Sequence, residues 1–350
     1  MGRYKVTKED TIFNAARPRV LINLVLILPF LLASAEAKQR RAEITFHVSI
    51  KAPANTGEVR LWLPYPTSDK NQTIEGVKIS GNYSYSGVYR EKEFGNMALY
   101  SQWEKPREKA TLTFSFRVIR QEIIKKDFLE KDAPIPNEIE VFLRPTTLGP
   151  IDGEIKKIAE QATNGKGTIP SRARALYDYL IDNFERDPMI VGCGLGDVHS
   201  LLKSKKGKCV DLHSVYVSLA KSVGVPAREI LGIRIPKGKE GDMTGAYHCW
   251  AEFYLPGYGW VPIDPSDVRK IMLDKKIPNV EEAKEYKEYY FGTVDENRVQ
   301  LSIWRDILVS PEPKAGRLSY FMYPYAEVDG KPLDPLAQTD LTYQVTYKEF

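Results

Sequence analysis

The stretch "GKCVDLHSVYVSLAKSVGVPAREILGIRI", residues 207–235, contains a helix, its stop and the strand after it. From Cys209 onward the apolar residues fall at Leu212, Val215, Tyr216, Leu219, Ala220 and Val223, the recurrence of an amphipathic helix with a broad buried face. Gly224 is placed for the left-handed position beyond the last turn, and Pro226 prevents continuation. Upstream, "GEIKKIAEQATNG" and "SRARALYDYLIDNF" read as helices, the first stopped by Gly165, the second following Pro170 with Ser171 as its N-cap. Downstream, "AREILGIRI", "AYHCWAEFYL" and "GWVPIDP" read as strands. Helices first and antiparallel strands afterwards predict an α+β fold, not a doubly wound sheet.

Further from this centre the pattern changes. Between about 40 and 120, "AEITFHVSI", "EVRLWLPYP" and "ATLTFSFRVI" are strand-like segments separated by polar turns, which predicts a small antiparallel sandwich. A charged segment with Pro134, Pro136, Pro145 and Pro150 then reads as a connector. The expected organisation is a leader over 1–37, a β-sandwich over 38–125 and a connector over 126–150. A catalytic domain over 151–310 and a strand-like C-terminal extension over 311–350 complete it. A charged helix is expected near "EEAKEYKEYY", residues 281–290, and no internal repeat is present.

The first residues have the layout of a secretory signal: basic side chains, an uncharged apolar run from Val20 to Leu32, then small residues. Ala33-Ser34-Ala35 and Ala35-Glu36-Ala37 are both suitable cleavage points. The expected location is periplasmic or secreted. The apolar run is short for a span of roughly 20 residues, so membrane contact is expected only if the segment is retained as an anchor. Without residues 1–35 the net charge falls from +4 to about +1, which speaks against a nucleic-acid partner because such binding needs a concentrated basic face. At 43% hydrophobic and 27% charged residues, the composition excludes a disordered class.

Three cysteines cannot all pair within one chain, and an unpaired thiol in an exported protein calls for a role. A nucleophilic cysteine needs a lowered thiol pKa, a base and a group that orients the base. Cys209 opens the helix, close to unpaired backbone N–H groups and the positive end of the helix dipole, with Lys208 and Gly207 beside it. His47, His199, His213 and His248 are the four candidate bases. His47 lies in the distant strand region, and His199 precedes the helix. His213 is one turn beyond Cys209, and for all three an ordinary polar or capping role is the expectation.

His248 stands in "AYHCWAEFYLPGYGWVPIDP", residues 246–265, which reads as a hairpin turning at "LPGYG". A turn centred on Pro256 sets His248 opposite Asp264. One centred on Gly257 makes them diagonal neighbours on the same face, still within reach. A one-residue slip would separate them. Asp264 can then hold one ring nitrogen of His248 while the other takes the Cys209 proton, the logic of a Ser-His-Asp triad with a thiol.

These residues carry a resemblance. "GKCVDLHSVYVSLAKSVGVPAR" followed by "AYHCWAEFYLPGYGWVPIDPSD" resembles the transglutaminase-like superfamily of papain-type thiol enzymes, over about residues 190–268. Gly207 and Cys209, then Gly224 to Arg228, then His248, Trp250 and Glu252, then Gly259, Trp260, Asp264 and Pro265 match its motifs in order. The resemblance implies a papain-like core with Cys209 as nucleophile, His248 as base and then acid, Asp264 as orienting carboxylate, and a thioester acyl-enzyme. Hydrolysis of peptide or isopeptide amides is the leading expectation. Transamidation of protein glutamine is the alternative, and a non-catalytic binding module on the same fold is a third.

Trp250 is a candidate wall of the site or a core residue. Asp211 suits the first helical turn as a structural acid. Cys249, next to His248 on a strand, is expected to face away from the site, and a Cys193–Cys249 disulfide is open in an oxidising compartment. No C-x-x-C, H-E-x-x-H or EF-hand loop occurs, so neither metal nor cofactor is expected, and the partner is a protein or peptide substrate.

Overall fold

The computed structural model describes residues 37–350 except 108, 130 and 132, so the apolar leader and both cleavage points fall wholly or largely outside the described residues. Residues 37–350 form one unit. The N-terminal strands are β1 (Gln39–Ile50), β2 (Glu58–Pro64), β3 (Gln72–Gly81), β4 (Tyr85–Arg90), β5 (Met97–Glu104) and β6 (Ala110–Gln121), followed by the short β7 (Ile123–Ile124). Helices α1 (Glu154–Ala162), α2 (Ile169–Asn183), α3 (Val198–Ser204) and α4 (Cys209–Ser222) come next. The two-residue strands β8 (Glu185–Arg186) and β9 (Lys206–Gly207) lie among them. Then come β10 (Ala227–Arg234), β11 (Glu240–Asp242), β12 (Tyr247–Leu255), β13 (Gly259–Ile263), α5 (Pro265–Lys275), α6 (Lys284–Tyr289), β14 (Thr293–Val294) and β15 (Arg298–Ile303). β16 (Tyr325–Val328), β17 (Lys331–Pro332) and β18 (Leu341–Glu349) close the chain. No helix among the described residues is long and apolar enough to cross a membrane.

The sandwich draws on both ends of the chain. One sheet runs β11-β18-β1-β6-β3 and the other β17-β16-β2-β5-β4. Alternation decides which faces meet: Ile44, Phe46, Val48 and Ile50 of β1 and Leu112, Phe114, Phe116 and Val118 of β6 are buried against Val59, Leu61 and Leu63 of β2. β2 is buried on both faces because its outer side, which carries Arg60 and Trp62, is also covered. Trp62 packs with Tyr100, Ile307, Val309, Leu318 and Phe321. The segment 311–350, expected as an extension beyond the catalytic domain, thus supplies strands to both sheets, and β18 is an interior strand paired with β1 from Ala42↔Glu349 to Ile50↔Leu341.

The second half is an antiparallel sheet in the order β13-β12-β10-β15, with α4 packed on it and the other helices around α4. Helix α4 is buried on all sides from Cys209 to Lys221, not on one broad face, because α1, α2 and α3 cover the side away from the sheet. Its polar residues therefore need partners inside the protein. Ser214 donates to Glu229 at 3.1 Å and accepts from Arg305 at 2.9 Å. Lys221 lies 3.9 Å over the Trp304 ring, and burial pushes its ammonium down to about 8. Asp211 and His213 belong to the site. α2 begins earlier than its sequence suggests. Thr168, not Ser171, is the N-cap, since the Thr168 hydroxyl accepts the Ser171 N–H at 3.2 Å and Ser171 falls at the third helical position.

The apolar core of the sandwich runs without a break into Cys193, Cys209, Val210, Tyr247 and Cys249. A second core fills the space between the helices and the four-stranded sheet, and includes Leu212, Val215, Tyr216, Phe253 and Ile263. The start of α4 lies where the two cores meet.

Candidate active site

Cys209 is the first residue of α4, so its backbone N–H is among the donors that no helical carbonyl can reach. The turn before it is shaped around Asp211. One carboxylate oxygen of Asp211 accepts the Lys208 N–H at 3.0 Å and the other accepts the Gly196 N–H at 2.8 Å. Two glycines make room for that carboxylate. A Cβ on Gly207 would lie 2.5 Å from the Asp211 Cβ, and one on Gly194, at φ +93°, would lie 1.9 Å from Oδ2. Asp211 is therefore a structural acid that ties the loop 194–196 to the start of the helix.

The hairpin forms with Leu255 opposite Gly259 and Ala251 opposite Ile263, the register centred on Gly257. Asp264 follows as the N-cap of α5, where its Oδ1 accepts the Asp267 N–H at 2.8 Å. Its Oδ2 accepts from His248 Nε2 at 2.8 Å. That bond leaves Nδ1 as the free nitrogen of His248, whose ring interacts with the Cys209 sulfur. The structure thus brings Cys209, His248 and Asp264 together, all of them buried. His47 and His199 are exposed on β1 and α3. Trp250 is buried with Ile123, Ile230 and Val294.

The surroundings of Cys249 and of His213 differ from what their positions in the sequence suggest. Cys249 does point away from His248, as strand alternation requires, but α4 covers that face of β12, and α4 carries the nucleophile candidate. Cys249 consequently lies against both Cys209 and His213, with its sulfur 3.3 Å from His213 Nδ1. His213, for which an ordinary polar or capping role was expected, lies in the interior facing Cys249 and Asp264. It is fully buried, and its Nε2 donates to Asp264 Oδ1 at 3.1 Å. All three thiols are free, so no Cys193–Cys249 disulfide is present.

Several groups were not anticipated from sequence. Arg298, at the start of β15 and fully buried, donates to Asp264, to Asp267 at 2.6 Å and to Asp295 at 2.9 Å. Arg234 pairs with the same Asp267 oxygen as Arg298 does. Asp267 had a local signal in "DPSD", because an acid three residues after an N-cap closes the first turn. Arg298, in "ENRVQL", had none. Cys193 sits within reach of both the Tyr247 carbonyl, at 3.3 Å, and the Cys209 sulfur.

The charges follow from these contacts. Interaction with the Cys193 and then the Cys249 thiol holds the Cys209 thiol well below its ordinary value, against the upward push of burial, with His248 adding to the same side. Burial foremost drives Asp264 upward, but Arg298, His248 and His213 carry it well below the usual carboxylate range. For His248, burial and Arg234 press downward, yet Asp267 and Asp264 leave it above its ordinary value. The arrangement favours a thiolate beside an imidazolium. Donor atoms of His248, Asp264 and Asp267 come within 4.8 Å of one another, as a metal site would require. The cationic place among them is filled by the Arg298 and Arg234 guanidinium groups.

The profile of the transglutaminase-like superfamily matches residues 156–265. An uncharacterised protein from Haemophilus influenzae is 33% identical over 321 residues, covering 84% of this chain and 87% of its own. The YebA protein of Bacillus subtilis, also uncharacterised, is 28% identical over 126 residues, which are 32% of this chain and 17% of YebA. Among solved structures, a cysteine protease candidate from Cytophaga hutchinsonii superposes with a TM-score of 0.56 at 12% identity, over 89% of this chain and 99% of that one.

Proposed function

Because this chain belongs to the transglutaminase-like superfamily, we propose that it is an exported thiol enzyme that hydrolyses peptide or isopeptide amides through a Cys209 acyl-enzyme. The observation that carries the reading is the single chain of contacts from Cys209 through His248 to Asp264 at the start of a buried helix.

The Cys209 thiolate attacks the amide carbonyl carbon, and the carbonyl electrons move to oxygen. The Cys209 N–H, unused by the helix, is the donor in place for that oxyanion. As the oxyanion collapses, the C–N bond breaks and the His248 imidazolium gives its proton to the leaving nitrogen. Water then attacks the thioester while His248 takes a proton from it, and breaking the C–S bond restores the thiolate. Asp264 holds Nε2 throughout, so Nδ1 is the nitrogen that exchanges the proton.

Turnover needs the thiolate and the imidazolium together. The thiolate is lost as pH falls below the lowered Cys209 pKa. The imidazolium is lost as pH rises above the raised His248 pKa. A bell-shaped kcat/KM profile is expected, with its acid limb well below the value of about 8.5 for a free cysteine. A single rise near 8.5 would contradict the ion-pair reading.

Incubating a cell extract with the protein and with its Cys209→Ala variant, followed by untargeted mass spectrometry, tests the function. New peptide termini or released amines only with the active protein are the expected result. Adding a primary amine separates the alternatives. Its incorporation into glutamine side chains would replace hydrolysis by transamidation. Identical extracts would leave the non-catalytic binding module.

A further inference from the structure

The four carboxylate oxygens of Asp264 and Asp267 are not equally used. Asp264 Oδ1 accepts the Asp267 N–H and the His213 Nε2–H, and Asp264 Oδ2 accepts from His248 Nε2 and from Arg298. Asp267 Oδ2 accepts from Arg298 at 2.6 Å and from Arg234. Asp267 Oδ1 has no hydrogen-bond partner among the described residues, although Asp267 is only 2% exposed. It lies 3.6 Å from His248 Nε2, the nitrogen that Asp264 holds at 2.8 Å. A buried carboxylate oxygen without a donor calls for an explanation, because its desolvation is not offset.

The surroundings aim this oxygen at the ring. Asp267 is the third residue of α5 and its N–H is tied to Asp264, so a single helical turn fixes both carboxylates. Arg234 of β10 and Arg298 of β15 both grip Oδ2, which keeps the carboxylate from turning Oδ1 away from His248. Asp264 already accepts two donors on each oxygen, so it cannot follow a moving ring without giving up other bonds. The ring has to move, because Nδ1 serves first the Cys209 sulfur and then the leaving nitrogen.

We infer that Asp267 is a positioning residue for His248, its Oδ1 sharing the Nε2–H when the ring tilts away from Cys209. The inference rests on Cys209 and His248 as the catalytic pair. The proton stays on Nε2 throughout, and only its acceptor changes, from Asp264 Oδ2 alone to both carboxylates. Nδ1 can then swing without Nε2 being set free. The charge of Asp267 acts in the same sense. The groups that face His248 are Cys209 and His213 from α4, Asp264 and Asp267 from α5, Arg234 from β10 and Arg298 from β15. Burial and Arg234 push the imidazolium down, while Asp267 and then Asp264 push it up.

The test follows the His248 ring by NMR in the full chain labelled at histidine, its signals identified by their loss in His248→Gln. In Asp267→Asn the two arginines keep the amide oxygen and turn the NH₂ towards Nε2–H, so an acceptor is replaced by a donor. The His248 titration should fall by about one pH unit. In Arg234→Gln, which removes an opposing cation, it should rise. Loosened packing would instead carry both variants down together, toward the value of about 6.5 of a free histidine. After Cys209 is alkylated with iodoacetamide, which displaces the ring from the sulfur, the Nε2–H resonance should persist in the wild type and be lost to exchange in Asp267→Asn. An unchanged titration in Asp267→Asn, a shift of both variants in one direction, or equal Nε2–H signals in the two alkylated proteins would reject the role of Asp267. The catalytic reading fails separately. Labelling at Cys209 without these shifts rejects Asp267 alone, and opposite shifts without labelling reject the nucleophile while keeping the hold of Asp267 on His248.

Discussion

Replacing Cys209 by alanine is expected to abolish labelling by iodoacetamide or a vinyl-sulfone probe and to lower turnover by about 10⁴-fold or more. The protein has three free thiols, so the outcome is not trivial. Interaction with Cys209 and burial push Cys193 upward, and burial with Cys209 pushes Cys249 upward, whereas Cys209 alone is pushed down. One sulfur should therefore hold the negative charge, with its two neighbours acting as weak S–H donors. Mass spectrometry of the labelled wild-type protein at neutral pH should find a single adduct, on Cys209. Undiminished labelling of the alanine variant would mean that another thiol is reactive. If His248→Ala left every biological activity intact, a binding module would replace an enzyme as the better description.

Arg298→Met is expected to cost about 3–5 kcal/mol of stability at neutral pH, because it takes away the buried cation that Asp264, Asp267 and Asp295 share. The pH dependence has a definite sign. Asp264, Asp267 and Asp295 all have folded-state pKa values below their ordinary ones, with Arg298 among the causes in each case. Their contribution is present above about pH 4, where the unfolded chain is ionised too, and is lost as pH falls through the folded values. Removing Arg298 raises those folded values. The gap between variant and wild type should thus be widest near neutrality and narrow on acidification. Urea midpoints followed from about pH 7 to about pH 2 would show it, and a gap that grew at low pH would refute the network.

The parts of the site that were legible in the sequence lie within single elements of fixed period. The helix beginning at Cys209 follows from apolar spacing and its Gly224–Pro226 stop. The contact between His248 and Asp264 follows from a hairpin whose turn allows few registers, and the centre at Gly257 is one of the two that keep them on one face. Where a residue's meaning depended on what packs against it, sequence was insufficient. Alternation fixed the face of Cys249 but not that α4 covers that face. Helical spacing tied His213 to Cys209, four residues away, while its partner Asp264 is 51 residues on. Arg298 joins from another strand, 34 residues beyond Asp264, with nothing local to announce it. The sandwich was read from its N-terminal strands alone, since β18 pairs with β1 across nearly the whole chain.

That last pairing has a temporal consequence. Contacts between residues about 300 apart form late, after the loop between them has been closed. Tyr343, on β18, is a wall of the cavity beside Cys193, so the cavity is incomplete until the terminal strand docks. A partly folded chain in which β18 has not yet docked lacks one wall of this cavity. The surroundings of the Cys193 loop are therefore complete only once the terminal strand has paired with β1.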